Sequence, residues 1–277
     1  MIKLFISDLD GTLIYKPKQG IEPNEENIRA VKNLRDNNIE FAVATGRFDH
    51  HILDIEKYVD SQNYRIGMNG GTIYDKENNL IWENTFDFDD IEALKENIEN
   101  DYLKTINFMV LLTTKGQRYV KYSGSLKKMA RFYRYKKKFN ALVYPENILS
   151  ELKEKDTKIL KAMVNTRKAK KYSIEKELKE KFGDFEVTIS GPHSIEIGPK
   201  GNTKGEAIKK IMRKENLNRN EVAFIGDSYN DLSAFEVCDH SFAMSHADGE
   251  IRNRARYITK SVAEAVAEVI KFNDRQS

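Results

Sequence analysis

A single cysteine, Cys238, stands in the 277 residues, so no internal disulfide can form, and one thiol without a partner pattern points to a reducing compartment, the cytoplasm. Proline is sparse at 5 and glycine reaches only 15, which excludes collagen-like and Pro/Gly-rich low-complexity chains. No apolar run approaches the ~20 residues a spanning helix needs, and the opening MIKLFISDLDGT meets an acidic residue too early for a signal peptide. Neither a membrane partner nor secretion is expected. An excess of charge of one sign is almost missing as well: 46 Lys+Arg against 43 Asp+Glu leave a net charge of +3, too weak a bias over this length to imply nucleic-acid binding. With 40% hydrophobic and 32% charged residues, the composition is that of a folded soluble chain long enough for one large or two modest domains.

Ile2 to Ser7 is a short apolar run ending in Asp8, as in a strand buried on both faces that delivers polar residues at its carboxyl end. Pro23 and Asn24 precede Glu25 and Glu26, and Ile28, Val31 and Leu34 then recur on one helical face. A strand at Phe41 to Ala44, a helix from about Phe48 to Val59 and a strand near Ile66 continue the alternation. Thr72 to Tyr74 and Leu80 to Trp82 flank a turn-prone stretch and read as a hairpin. From about Glu83 to Gly191 the order changes. Helices are expected around Ile91, Leu94 and Ile98, over Ser125 to Phe139, and around Ile174, Leu178 and Phe182. Strands are expected at Ile106 to Leu112, Tyr119 to Tyr122, Ile159 to Val164 and Val187 to Ser190. Beyond Pro192 the alternation is predicted to resume with a strand at Ile195 to Ile197, a helix at Lys204 to Glu215 and a strand at Val222 to Ile225. The fold class is therefore α/β, a Rossmann-like doubly wound parallel sheet with an inserted α+β unit. The expected division is residues 1–82 plus 192–277 for the core and 83–191 for the insertion.

Clusters of polar residues follow the predicted strands, and in open α/β sheets ligands bind outside the carboxyl ends of strands. The first is Asp8-Leu9-Asp10-Gly11-Thr12. Two close carboxylates repel, so they need a cation or a raised pKa on one of them. Asp8 could attack phosphorus while Asp10 protonates the leaving oxygen and then deprotonates water; the same pair could equally be a strand-end turn with surface aspartates. In Thr45-Gly46-Arg47, a hydroxyl and a glycine N–H can grip phosphate oxygens, or Thr45 can simply cap a helix. Lys204, within Lys200-Gly201-Asn202-Thr203-Lys204-Gly205, opens a helix whose dipole it opposes. It is either a solvated loop lysine or an ammonium placed to neutralise phosphate and hold Asp8 ionised. In Gly226-Asp227-Ser228-Tyr229-Asn230-Asp231, Asp227 and Asp231 offer hard oxygen ligands that with Asp8 suit Mg²⁺, or else an acidic helix start.

DLDGT, ATGR, MNGGTI, GNTKG and GDSYND occur in this order across nearly the whole chain. Together they resemble the haloacid dehalogenase superfamily of aspartyl phosphatases, and within it the Cof-type (type IIB) sugar-phosphatase-like branch with its inserted cap. The resemblance implies Asp8 as nucleophile and Mg²⁺ ligand, Asp10 as acid/base with its backbone carbonyl on the metal, and Asp227 as a further ligand. It implies phosphate binding by Leu9, Thr45, Gly46 and Lys204, with Asn230 near the phosphate and Asp231 supporting the metal shell. Ion-pumping relatives lack an acid at the position of Asp10, so hydrolysis is implied. The expected substrate is a small phosphorylated metabolite, a sugar phosphate or phosphorylated cofactor, over which the insertion would close. Alternatives are a phosphomutase and a non-catalytic polyanion-binding regulator. Two stretches depart from the family: Ser245 and His246 stand where Gly and Asn are common, and Ser261-Val262-Ala263 replaces a longer acidic loop.

The strongest local charge bias lies between Arg118 and Asn140, where Arg118, Lys121, Lys127, Lys128, Arg131, Arg134, Lys136, Lys137 and Lys138 face no acid and alternate with aromatics. Such a segment can bind polyanions, or can be a solvated helix whose Leu126, Met129 and Tyr133 form its buried stripe; the second is expected, and nucleic acid is not. His50, His51 and His193 lack a metal-ligand pattern, Trp82 is read as packing between the two regions, and no feature specifies an oligomeric state.

Overall fold

The computed structural model describes residues 1–14, 22–59, 63–122 and 126–276. Two compact units divide it: Met1–Glu83 with Asn202–Ser277, and Asn84–Gly201. Among the described residues no helix is long and apolar enough to cross a membrane.

The first unit begins β1 (Leu4–Ser7), α1 (Glu25–Asp36), β2 (Glu40–Ala44), α2 (Asp49–Val59), β3 (Arg65–Gly67), β4 (Thr72–Tyr74) and β5 (Leu80–Glu83). The second contains α3 (Phe88–Asn97), β6 (Phe108–Thr113), β7 (Arg118–Tyr122), α4 (Leu126–Phe139), β8 (Leu142–Val143), α5 (Ile148–Glu154), β9 (Ile159–Asn165), α6 (Lys171–Lys181), β10 (Glu186–Ile189) and β11 (Ser194–Gly198). The first unit then resumes with α7 (Lys204–Lys214), β12 (Val222–Gly226), α8 (Leu232–Val237), β13 (His240–Met244), α9 (Gly249–Arg252), β14 (Tyr257–Thr259) and α10 (Val262–Asp274).

Eight strands of the first unit form one sheet in the order β14-β13-β12-β1-β2-β3-β4-β5, parallel from β14 to β3 and antiparallel beyond it. Alternation along β1 decides its two faces: Phe5 joins Val31, Ile52 and Val266 beneath α1, α2 and α10, whereas Leu4 and Ile6 join Ile208, Phe235 and Ile251 beneath α7, α8 and α9. A strand covered on both sides must be almost wholly apolar, as β1 up to Ser7 and β12 are. The chain winds outward from β1 through β2 and β3, then returns to the other side of β1 through β12, β13 and β14. The direction of winding therefore reverses between β1 and β12, the place where a doubly wound sheet opens a crevice.

In the second unit the order β10-β11-β9-β6-β7-β8 is antiparallel except for the β7–β8 pair. One face packs Met109, Leu111 and Ile197 against Ile91 and Leu94 of α3, Ile148 of α5 and Leu178 of α6. Two sequence expectations are corrected here. Ile195 to Ile197 does not reopen the parallel sheet; as part of β11 it pairs antiparallel with both β9 and β10, because its alternating Ile195 and Ile197 fill that second core. Nor do Met129 and Tyr133 form the buried stripe of α4, for they are 38% and 57% exposed. Phe132 is buried instead, and the Tyr135 ring contacts both Phe108 on the sheet and Phe139. Ser125 and the side chains of Tyr122, Leu126, Lys127 and Lys128 lie outside the described residues. The elements β8 and α5 were not anticipated.

A buried guanidinium ties β3 to α2. Arg65 donates to Asp49 Oδ1 at 2.6 Å and to Asn78 Oδ1 at 2.9 Å, with Glu56 Oε2 3.5 Å away. Burial pushes the Glu56 carboxyl up to about 8 against the pull of Arg65. The folded protein thus keeps a proton that the unfolded chain releases above the ordinary glutamate value, and stability falls as pH rises through about 8. Glu56→Gln keeps the shape without the charge. Its expected effect is to stabilise the protein at pH 9 by up to about 5 kcal/mol relative to wild type and to leave it nearly unchanged near pH 4, read as denaturation midpoints at the two pH values.

Candidate active site

Register brings the candidate residues together. Ser7 at the end of β1 lies opposite Ile225 of β12 and Val43 of β2, so Asp8, Asp227 and Thr45 each follow within two residues of neighbouring strand ends. The ladder continues one step further through Asp8 N–H to Ile225 O, 2.9 Å. Asp8 and Asp227 thereby flank the point where the winding reverses.

Lys204 lies at the centre of the cluster and is fully buried. Its ammonium donates to Asp8 Oδ1 and to Asp231 Oδ1, both at 2.6 Å. Burial alone would lower its pKa; the carboxylates of Asp231 and Asp8 outweigh that and hold it above the usual lysine value. The sequence explains how a helix can begin with a buried cation: Thr203 caps α7 by accepting from Glu206 N–H at 3.1 Å. The MNGG stretch supplies the buttress. Met68, Asn69 and Gly70 all take left-handed φ angles of 53°, 61° and 106°, and a Cβ on Gly70 would sit 2.3 Å from Thr203 O. Glycine is therefore what lets this loop press against the start of α7.

Asp231 is fully occupied. Besides the ammonium on Oδ1, its Oδ2 accepts the N–H groups of Asp227 and Ser228, each at 2.9 Å, which shapes the loop that presents Asp227. Asp227 Oδ1 accepts from Thr12 Oγ1 at 3.0 Å, and His246 Nε2 lies 3.5 Å from Oδ2. Gly11, at φ 95°, leaves room for this carboxylate, since a Cβ there would be 2.4 Å from Asp227 Oδ2. Burial, then the charge of Asp231, push Asp227 up to about 6. Burial likewise drives Asp8 well above the ordinary aspartate value, with Lys204 opposing.

Oxygen atoms of Asp8, Asp227 and Asp231 all lie within 4.8 Å of one another. Three carboxylates face one ammonium, so the cluster is two positive charges short of neutrality when ionised. A divalent cation supplies that charge, and hard oxygen donors suit Mg²⁺. Because both oxygens of Asp231 are engaged, Asp8 and Asp227 are the pair best able to hold the ion.

The other predicted residues stand around this centre. Thr45 is buried, and its Oγ1 accepts from Arg47 N–H at 3.3 Å. α2 starts only at Asp49, so Thr45 and Gly46 lie on the link before the helix and not at its cap. The Leu9 side chain is fully buried in the core, which leaves only its main chain to meet an anion. Asn230 Nδ2 donates to Asn69 Oδ1 at 3.0 Å. The Asp10 carboxylate does not join the cluster; Arg47 holds it, Nε to Oδ2 at 2.7 Å and Nη2 to Oδ1. Sequence reasoning assigned no role to Thr12, Asn69 or Arg47, although each lies inside a motif it singled out.

Among curated proteins, the chain is 28% identical to the 5-amino-6-(5-phospho-D-ribitylamino)uracil phosphatase YwtE of Bacillus subtilis, over 94% of this chain and 93% of that one. Its fold matches SMU.1108c of Streptococcus mutans at TM-score 0.80 and 23% identity, with each chain fully covered. It also matches the HAD subclass IIB sugar phosphatase BT4131 at TM-score 0.76 and 19% identity, covering 98% of this chain and 99% of the other. The family model for haloacid dehalogenase-like hydrolases matches residues 5–270. A match over that length places the chain in the haloacid dehalogenase-like hydrolase family.

Proposed function

We propose that the protein is a Mg²⁺-dependent phosphatase that hydrolyses a small phosphorylated metabolite through an aspartyl-phosphate on Asp8. The observation that carries this reading is the buried Lys204 ammonium between Asp8 and Asp231, beside Asp227, at the strand ends where the sheet reverses. Asp8 and Asp227, with the main-chain carbonyl of Asp10, would hold the metal, whose charge would balance the phosphate dianion and the cluster's own excess negative charge.

Lys204 opposes the burial that raises Asp8 and so favours the carboxylate form, an oxygen of which would attack phosphorus. Asp10 in its acid form passes its proton to the leaving oxygen as the P–O bond breaks. The resulting carboxylate takes a proton from water while the water oxygen bonds phosphorus, and Asp8 and inorganic phosphate are released. Thr45 and Gly46 would grip the non-reacting phosphate oxygens, and Asn230 would be held for the same task by Asn69. Residues 84–201 are proposed to select the leaving group. The phosphoribityl substrate named for the Bacillus subtilis relative supports a phosphorylated sugar, polyol or cofactor precursor.

The test is phosphate release from 4-nitrophenyl phosphate and a panel of phosphorylated sugars, polyols and cofactors, with Mg²⁺ or EDTA. Wild type is expected to turn over only with the metal, and Asp8→Asn to lose at least about a thousandfold. Release by Asp8→Asn at the wild-type rate would remove the covalent mechanism. Isomerised ester in place of free phosphate would assign a mutase.

A further inference from the structure

Arg47 stands just past β2, and its main chain is fixed on both sides: its N–H donates to Thr45 Oγ1 at 3.3 Å and its carbonyl accepts from Met68 N–H at 3.0 Å. From this platform the guanidinium forks onto Asp10, so that one rigid plane meets both carboxylate oxygens. The side chains are 22% and 44% exposed, and an ion pair this open to water contributes little to stability. What the fork does supply is direction, because two parallel hydrogen bonds remove the torsional freedom of a short carboxylate side chain.

We propose that Arg47 is a positioning residue for Asp10, holding the acid/base carboxylate where the leaving oxygen and then the attacking water must meet it, without itself gripping the phosphate. The inference rests on the acid/base role proposed above for Asp10. Proton transfer to the leaving oxygen and from water both need that carboxylate within hydrogen-bond reach. A displacement of about 1 Å in a reacting group costs on the order of a hundredfold. Lysine retains the charge and loses the fork.

The experiment compares wild type, Arg47→Ala and Arg47→Lys with Mg²⁺ on two esters. Phenyl phosphate has a leaving group that needs a proton, and 4-nitrophenyl phosphate has one that leaves without it. Arg47→Ala is expected to lower kcat on phenyl phosphate about a hundredfold with KM held within about threefold. Single-turnover release of 4-nitrophenol should stay within about threefold of wild type, since that step asks nothing of the acid. Arg47→Lys should fall between the two proteins, and added guanidinium should restore part of the phenyl phosphate turnover to Arg47→Ala, which a purely structural loss would not allow. A rise in KM for both esters, with weaker inhibition by inorganic phosphate and kcat unchanged, would make Arg47 a phosphate ligand and overturn the proposal. Wild-type values in Arg47→Ala overturn it alone, whereas a wild type silent on both esters overturns the catalytic reading and this inference with it.

Discussion

Lys204→Met is expected to stop turnover and weaken the fold together. The methionine fills nearly the same volume, so the change isolates the charge. It leaves Asp8 and Asp231 buried without the ammonium that donates to both at 2.6 Å, and removing one partner of a buried ion pair costs about 3–5 kcal/mol. The loss should depend on pH with a defined sign. Asp8 already sits well above its ordinary value because burial outweighs the opposing pull of Lys204; without the lysine it rises further, and the folded state binds a proton more tightly. Stability of the variant, relative to wild type, is therefore expected to recover on acidification and to be worst above neutrality. Turnover should fall by about a thousandfold or more, since the phosphate loses a cation and Asp8 is biased further towards its neutral form, which cannot attack. Urea denaturation at pH 5 and pH 8 reads the first effect. Equal destabilisation at the two values would mean that Lys204 acts by packing and not by charge.

Why Lys204 could be singled out in the sequence, and Arg47 could not, is a matter of which physics each depends on. A lysine at the first position of a helix opposes the dipole, and that anomaly is local, visible in a few residues. Arg47 acquires its partner only because β1 and β2 are neighbours in parallel register, with Ser7 opposite Val43, a relation that no local window contains. The parallel sheet itself was legible for a similar reason: a strand buried on both faces must be almost wholly apolar, and LFI, FAVA and VAFI are. Periodicity failed where two faces of one element both carry apolar or aromatic side chains. In α4, Met129 and Tyr133 share a helical face, and so do Phe132, Tyr135 and Phe139; only the sheet decides which set is covered, through the contact of Tyr135 with Phe108. β11 misled because alternating Ile195 and Ile197 suit either sheet. Its hairpin partner β10, paired from Glu186 to Ile189, settles the matter through long-range hydrogen bonds that composition does not encode. Asn69 was hidden by its backbone, because a left-handed asparagine ahead of two glycines reads as an ordinary turn.

Metal-free protein is expected to lose stability as pH rises from about 4 to beyond 6, and a divalent cation to reverse the loss. Asp227, at about 6, keeps in the folded state a proton that the unfolded chain gives up near the ordinary aspartate value. The stabilisation is complete below that value and gone above 6, which for a shift of this size amounts to about 3 kcal/mol. Asp8 shifts in the same direction and adds to the trend. Mg²⁺ binds the ionised carboxylates, so it should raise Tm more at pH 8 than at pH 5.5 and release protons on binding at the lower value. Asp227→Asn retains an oxygen for the Thr12 hydroxyl while discarding the charge. Its metal-free form should be more stable than wild type at pH 8 by up to about 3 kcal/mol, nearly equal to it near pH 4, and unresponsive to Mg²⁺. Carrying both proteins on the Glu56→Gln background removes a buried carboxyl outside the cluster whose titration has the same sign. A Tm rise with Mg²⁺ in Asp227→Asn as large as in wild type would place the cation elsewhere. Metal-free wild type as stable as Asp227→Asn at pH 8 on that background would mean that water reaches this cluster far more freely than its burial allows.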